Sequence, residues 1–233
     1  MSSLFRRRAV VVPFVVLLVL AGTLPALAAT VTRASTDSIT IFETGAASPY
    51  PSTIDVGGLY GGISDINVTL AGLSHEFPTD ITVLLVGPAG QSVVLMDDAG
   101  GESGRGASNV TLTFDDAATN FLSQDINGGL FSGTFKPTPA PAVTSNCNEI
   151  ATPASTPAGP YGTTLAVFNG TNPNGTWSLY VYDDCTFGSG SIAGGWSLEI
   201  NAAGPFVTVP SDITVPNDPG QAGGHDREAD LIC

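Results

Sequence analysis

Three adjacent carboxylate pairs, Asp97-Asp98, Asp115-Asp116 and Asp183-Asp184, are the residues here whose types and spacing could do chemistry. A two-carboxylate hydrolase needs one acid with a raised pKa facing the other across a substrate cleft. Neighbours along a strand point to opposite faces, so no single pair meets that requirement. A hard cation is a better match, because calcium takes only oxygen ligands. In "LMDDAGGESGRGASNVTLTFDD" two strand ends flank a glycine-rich loop, which could bring Asp97 or Asp98 near Asp115 or Asp116 with backbone carbonyls to complete a Ca²⁺ shell. The same aspartates suit Asx-turns that cap strand ends, the commoner use of such residues. A serine triad needs a histidine base, and the only histidines are His75 and His225. No G-x-S-x-G turn accompanies them. The sequence is therefore read as noncatalytic.

The cysteines and the start of the chain bear on compartment. "MSSLFRRRAVVVPFVVLLVLAGTLPALAAT" sets three arginines before an apolar run and closes on small residues, the layout of a secretory leader with cleavage after Ala28. Pro13, Pro25 and the small-residue exit favour cleavage over an uncleaved anchor, and no later run could span a bilayer. The expectation is a secreted, extracellular protein without a membrane span once the leader is removed. Of three cysteines, Cys147 and Cys185 lie beside expected strand ends and are paired here as a disulfide, leaving Cys233 in the tail. No C-x-x-C spacing supports a zinc or redox site. With the leader removed, four Lys and Arg face 21 Asp and Glu, a formal charge of about −17. Such a surface repels phosphate backbones, so nucleic acid is not an expected partner.

The elements that must position these residues are strands. Apolar residues alternate in "DINVTL", "NVTLTF", "TWSLYV" and "GWSLEI", and more briefly in "STIDV", "DITVLLV", "QSVVLM", "FSGTF" and "TTLAVF". Gly, Pro, Asn and Asp clusters such as "GPAG" separate them. "DDAATNFLSQD" is the one stretch that predicts a turn or two of helix. Short strands at close intervals, with 28 glycines and 17 prolines, predict an all-β, antiparallel, jelly-roll-like β-sandwich. Residues 29–39 are read as an N-terminal linker and 40–201 as the sandwich, with a tail over 202–233. The Pro-, Ala-, Ser- and Thr-rich stretch from Lys136 to Gly162 is expected to be a surface excursion tied down by Cys147.

Four ordered segments, spanning six steps of one pattern, then carry a resemblance: "GISDINVTLAGLSHEFPTDITVLLVGPAGQSVVLM", "TFDDAA", "LAVFNGTNPNGTWSLYVYDD" and "GGWSLEI". They resemble the P domain, or Homo B domain, of proprotein convertases and many secreted bacterial proteins. That family runs through an I-S-D-V-N-V strand, an H-T-…-D-L step, a P-S-G turn, an F-D-D step, an F-N-G-…-N-P-N-G-T-W strand start and a closing W-S-L. Here Pro-Ala-Gly stands at the turn and Pro78-Thr79 precedes Asp80, while His75 falls on the family's strand-end histidine. The resemblance implies a jelly-roll-like sandwich that sits beside a subtilisin-like serine endopeptidase, stabilises it and modulates its calcium or pH response. It implies an accessory role in proteolysis for this chain, through a protein or peptide partner such as a separately encoded peptidase. "FVTVPSDITVPNDPGQAGG" more weakly resembles the opening strand of a HYR module, and the polar "HDREADLIC" after it reads as a truncated or frame-shifted continuation.

Two other features have a plainer reading. Sequons at Asn67, Asn109, Asn169 and Asn174 mostly fall on strand or turn positions that the family pattern already explains. Trp177 and Trp196 are in phase with Leu179, Val181, Leu198 and Ile200, which predicts core rather than a sugar-stacking platform. A carbohydrate-binding or adhesive jelly roll on a cell-surface protein is the alternative, and exposed tryptophans would favour it.

Overall fold

The computed structural model describes residues 28–101, 106–125, 127–140 and 152–203. Twelve strands are present among them: β1 Ala28–Ser35, β2 Ile39–Ile41, β3 Gly45–Ala46, β4 Ser52–Val56, β5 Gly62–His75, β6 Ile81–Val86, β7 Ser92–Met96, β8 Ala107–Phe114, β9 Gly133–Phe135, β10 Gly175–Asp183, β11 Gly190–Ile192 and β12 Trp196–Ala203. They form two stacked, largely antiparallel sheets, an all-β sandwich as the alternation requires. One sheet runs β1-β12-β5-β11-β2, with β8 on the other edge of β5 and β9 parallel to β8. The second runs β3-β10-β6-β7, with β4 also on β10.

Each strong alternation becomes a strand whose apolar face turns inward. β5 buries Ile66, Val68 and Leu70, β12 buries Trp196, Leu198 and Ile200, and β10 buries Trp177, Leu179 and Val181. Together with Val83, Leu85, Leu112 and Phe114 they make a single core between the sheets. Both tryptophans are interior and satisfied: Trp177 Nε1–H donates to the Pro173 carbonyl, and Trp196 Nε1–H reaches across to Ser52 Oγ on the facing sheet, each at 2.9 Å. The buried indoles remove the sugar-platform reading of these two residues.

Several expectations need correction. "TTLAVF" is not a strand, because its buried residues are Leu165 and Phe168, three apart, and the segment closes as a 3-10 turn over Leu165–Phe168. "DDAATNFLSQD" makes only a turn, with the Asp115 carboxylate accepting Ala117 N–H, after which Phe121 bridges to Lys136. Residues 29–39 are not a linker. Most of them form β1 and the start of β2, and β1 pairs with β12 along its whole length, so the sandwich also extends to Ala203. The start of the Pro-rich stretch stays on the body, since Thr138 bridges to Met96, and Gly162 near its end bridges to Val93. Ala28 opens β1; the leader before it, Cys147, and the HYR-like tail lie outside the described residues.

Candidate functional site

The pairing registers bring the chemistry-bearing residues to one end of the sandwich. Asp183, the last residue of β10, is opposite Ile81, and Val83 of β6 is opposite Met96 of β7. Asp80, Asp97-Asp98 and Asp183-Asp184 therefore emerge side by side, although as many as 104 residues separate them in sequence. A 3-10 turn at Pro78–Asp80 supplies the first, held by Asp80 N–H on the Phe77 carbonyl. Asp184 N–H donates to the Asp80 carbonyl at 2.9 Å, which ties the end of β10 to that turn.

His75 closes the site from the other sheet. Its Nε2 is 3.2 Å from Asp183 Oδ2, and both side chains are fully buried. The approach is close without being an aligned hydrogen bond, since neither atom has a hydrogen-bond partner. Nδ1 lies against the backbone of Phe77, 3.0 Å from its oxygen and 3.2 Å from its nitrogen. Nδ1 is thus engaged by the Phe77 backbone, while Nε2 faces Asp183 without a hydrogen-bond partner. A groove of about 530 Å³ runs past this ring, lined by Ser74, Glu76, Phe77, Ala107 and Ser108 among others. Ser74 Oγ there accepts Asn109 N–H, so it is engaged with backbone rather than with the imidazole. Glycine is obligatory at 190, because a Cβ there would lie 2.0 Å from the Ser74 carbonyl oxygen and 2.6 Å from His75 Cδ2.

The carboxylates differ in how well they are satisfied. Asp183 Oδ1 accepts Cys185 N–H at 2.9 Å. Asp97 Oδ1 accepts Thr82 Oγ1–H at 2.7 Å, and its own N–H donates to the Thr138 carbonyl. Burial nevertheless pushes the Asp97 carboxyl up, Asp98 adding to the effect while the Thr82 bond opposes it. Asp98 is buried in a left-handed conformation, φ 49°, which aspartate tolerates better than most residues. Asp80 and Asp98 each have a further partner. Asp184 is 7% exposed, and its Oδ1 is buried without a hydrogen-bond partner. Burial, followed by the negative fields of Asp97, Asp98, Asp183 and Asp80, pushes it up to about 7.

The four aspartates expected to frame a cation are divided by this arrangement. Asp97 and Asp98 face the cluster. Asp115 turns its carboxylate onto Ala117 N–H, and Asp116 accepts Leu165 N–H and Ala166 N–H with its two oxygens, capping the 3-10 turn. Asp183 and Asp184, expected only to cap a strand, are the residues sequence reasoning missed. Their one signal was a carboxylate pair at the end of a strongly alternating strand. Among the described residues no group of three or more His, Cys, Asp or Glu side chains could hold a metal ion. Cys185, next to the pair, is disulfide-bonded, and its partner lies outside the described residues.

The chain matches no protein-family model, no curated protein and no solved structure. Among the described residues no helix is long and apolar enough to cross a membrane.

Proposed function

We propose that this chain is a secreted, noncatalytic P/Homo B-type module that works by contact with a protein partner, a subtilisin-like serine endopeptidase encoded separately. One observation carries the reading: the residues of the resemblance serve a single structural purpose. Phe168 of the "FNG" segment packs edge-on against Trp177 of the "GTW" segment, with ring centroids 4.9 Å apart. His75 of the "SH" step meets Asp183 of the "YDD" step, and Phe114 of "FDD" pairs with Val68 of the "DINV" strand. Motif positions that hold one another in place are what a shared fold requires, and that supports the reading. The mature surface, rich in carboxylates, suits a partner with a basic patch and would speed their encounter.

The expected activity is stabilisation in trans. A subtilisin-like catalytic domain incubated at its inactivation temperature should keep activity longer with this chain than with an unrelated acidic β-sandwich. Equal half-lives in the two mixtures would remove the proposal. The carbohydrate-binding alternative predicts instead that soluble oligosaccharides shift the thermal unfolding of the chain alone.

A further inference from the structure

We propose that the groove between the Phe121 bridge and the 3-10 turn at Leu165–Phe168 binds the C-terminal residue of a peptide, its apolar side chain on Phe121 and the neighbouring prolines and its carboxylate on Lys136. The groove has a volume of about 450 Å³, within the range of clefts that take small ligands. Phe121, Pro137, Pro139 and Ala166 supply its apolar wall. Phe121 is 58% exposed, and the Lys136 ammonium stands 5.7 Å from its ring centroid, inside the reach of a cation–π contact. No carboxylate of the described residues forms an ion pair with that ammonium. The acid on the groove, Asp116, is already occupied, since its two oxygens accept Leu165 N–H and Ala166 N–H.

Asp116 also changes what Thr164 does. Thr164 is the N-cap of that turn, where a threonine hydroxyl ordinarily accepts a backbone N–H, yet it makes no side-chain cap bond. Asp116 reaches in from about fifty residues away and accepts those N–H groups instead. The exposed Thr164 hydroxyl is left over on the groove beside exposed Thr163. Among the described residues nothing accepts from Lys136 Nζ or from either hydroxyl. Donors without acceptors, set against an apolar wall, select an apolar group that ends in an oxygen anion. A single lysine matches a single negative charge, whereas phosphorylated ligands call for clustered arginines and polyanions are repelled by a chain of formal charge −14. Pro137 and Pro139 carry no N–H, and the Thr138 N–H is taken by the Leu95 carbonyl, so this wall has no donor for adding a strand. Recognition rests on one side chain and one end charge, which a peptide C-terminus supplies together.

The inference does not rest on a peptidase partner, so it is tested on the chain alone. NMR titration of the full chain compares the N-acetylated pentapeptide Ser-Gly-Ser-Gly-Leu as its free acid and as its C-terminal amide. The acid should bind saturably and at least tenfold more tightly than the amide, and the difference should shrink as salt is added. Lys136→Met should bring acid and amide to equal affinity, Lys136→Arg should keep the difference, and Phe121→Ala should weaken both peptides. Arg33→Gln, which removes the same charge on β1, should behave as the parent does. No saturable binding of the acid, equal affinities of acid and amide for the parent, or a difference that survives Lys136→Met, would overturn the proposal. Groove signals moved by an oligosaccharide and not by the peptide would overturn it as well, assigning the wall to a sugar.

Discussion

At the scale of the residue, Asp184 and His75 are the two buried polar groups on which the acidic end depends. Asp184 is pushed up to about 7 by burial and by Asp97, Asp98, Asp183 and Asp80, the last two of which also neighbour His75 or its turn. A carboxyl whose folded pKa lies above its unfolded value, about 3.9, holds its proton more tightly when folded. Its contribution is therefore greatest below pH 4 and is lost as the pH rises toward 7. In chelator, the Tm should fall across that window, and Asp184→Asn should flatten the profile and raise the Tm at pH 8. His75 acts by contact, and its removal leaves the buried Asp183 without its neighbour. His75→Gln should cost about 1–3 kcal/mol, as leaving a buried polar group unsatisfied does, read as a lower midpoint in urea denaturation. The sequence displayed all three aspartate pairs but not their neighbours. Asp97 and Asp184 become neighbours only because β10 pairs with β6, a register fixed by residues far from either pair.

At the scale of the element, period-two alternation was a dependable guide wherever a strand buries one face, as in β5, β8, β10 and β12. It failed at "TTLAVF", where the residues buried are Leu165 and Phe168 and the cap comes from Asp116, about fifty residues earlier. Removing that cap by Asp116→Ala should cost about 1–2 kcal/mol, within the range for lost helix caps. A chemical denaturation series on parent and variant reads this cost, and an unchanged midpoint would show that the turn holds without Asp116. Glycine at 190 is a constraint that composition conceals among 28 glycines. A methyl there meets Ser74 and His75, so Gly190→Ala should destabilise the β5–β11 junction by about 1–3 kcal/mol or prevent folding, as overpacking does. A Tm within a degree of the parent would show that β11 yields more easily than this packing implies.

At the scale of the whole molecule, two sheets close around one core, and the charged end is assembled from both. Fold class was legible because alternation and turn residues agree along the long strands β5, β8, β10 and β12. The extent of the fold was not, since β1 is an edge strand with one neighbour and little apolar periodicity, its Val31 only partly buried against the core. Nothing in "ATVTRAS" distinguishes it from a linker until β12 is present to pair with it. On the proposed reading the chain acts by docking to a protein partner, while the buried His75 ring faces Asp183 and the Phe77 backbone. The most direct test of that account is calorimetric titration of the chain into an active-site-blocked subtilisin-like catalytic domain, with an oligosaccharide series titrated in parallel. The account predicts a saturable one-to-one complex with the peptidase and no heat from the sugars; sugar binding without peptidase binding would contradict it.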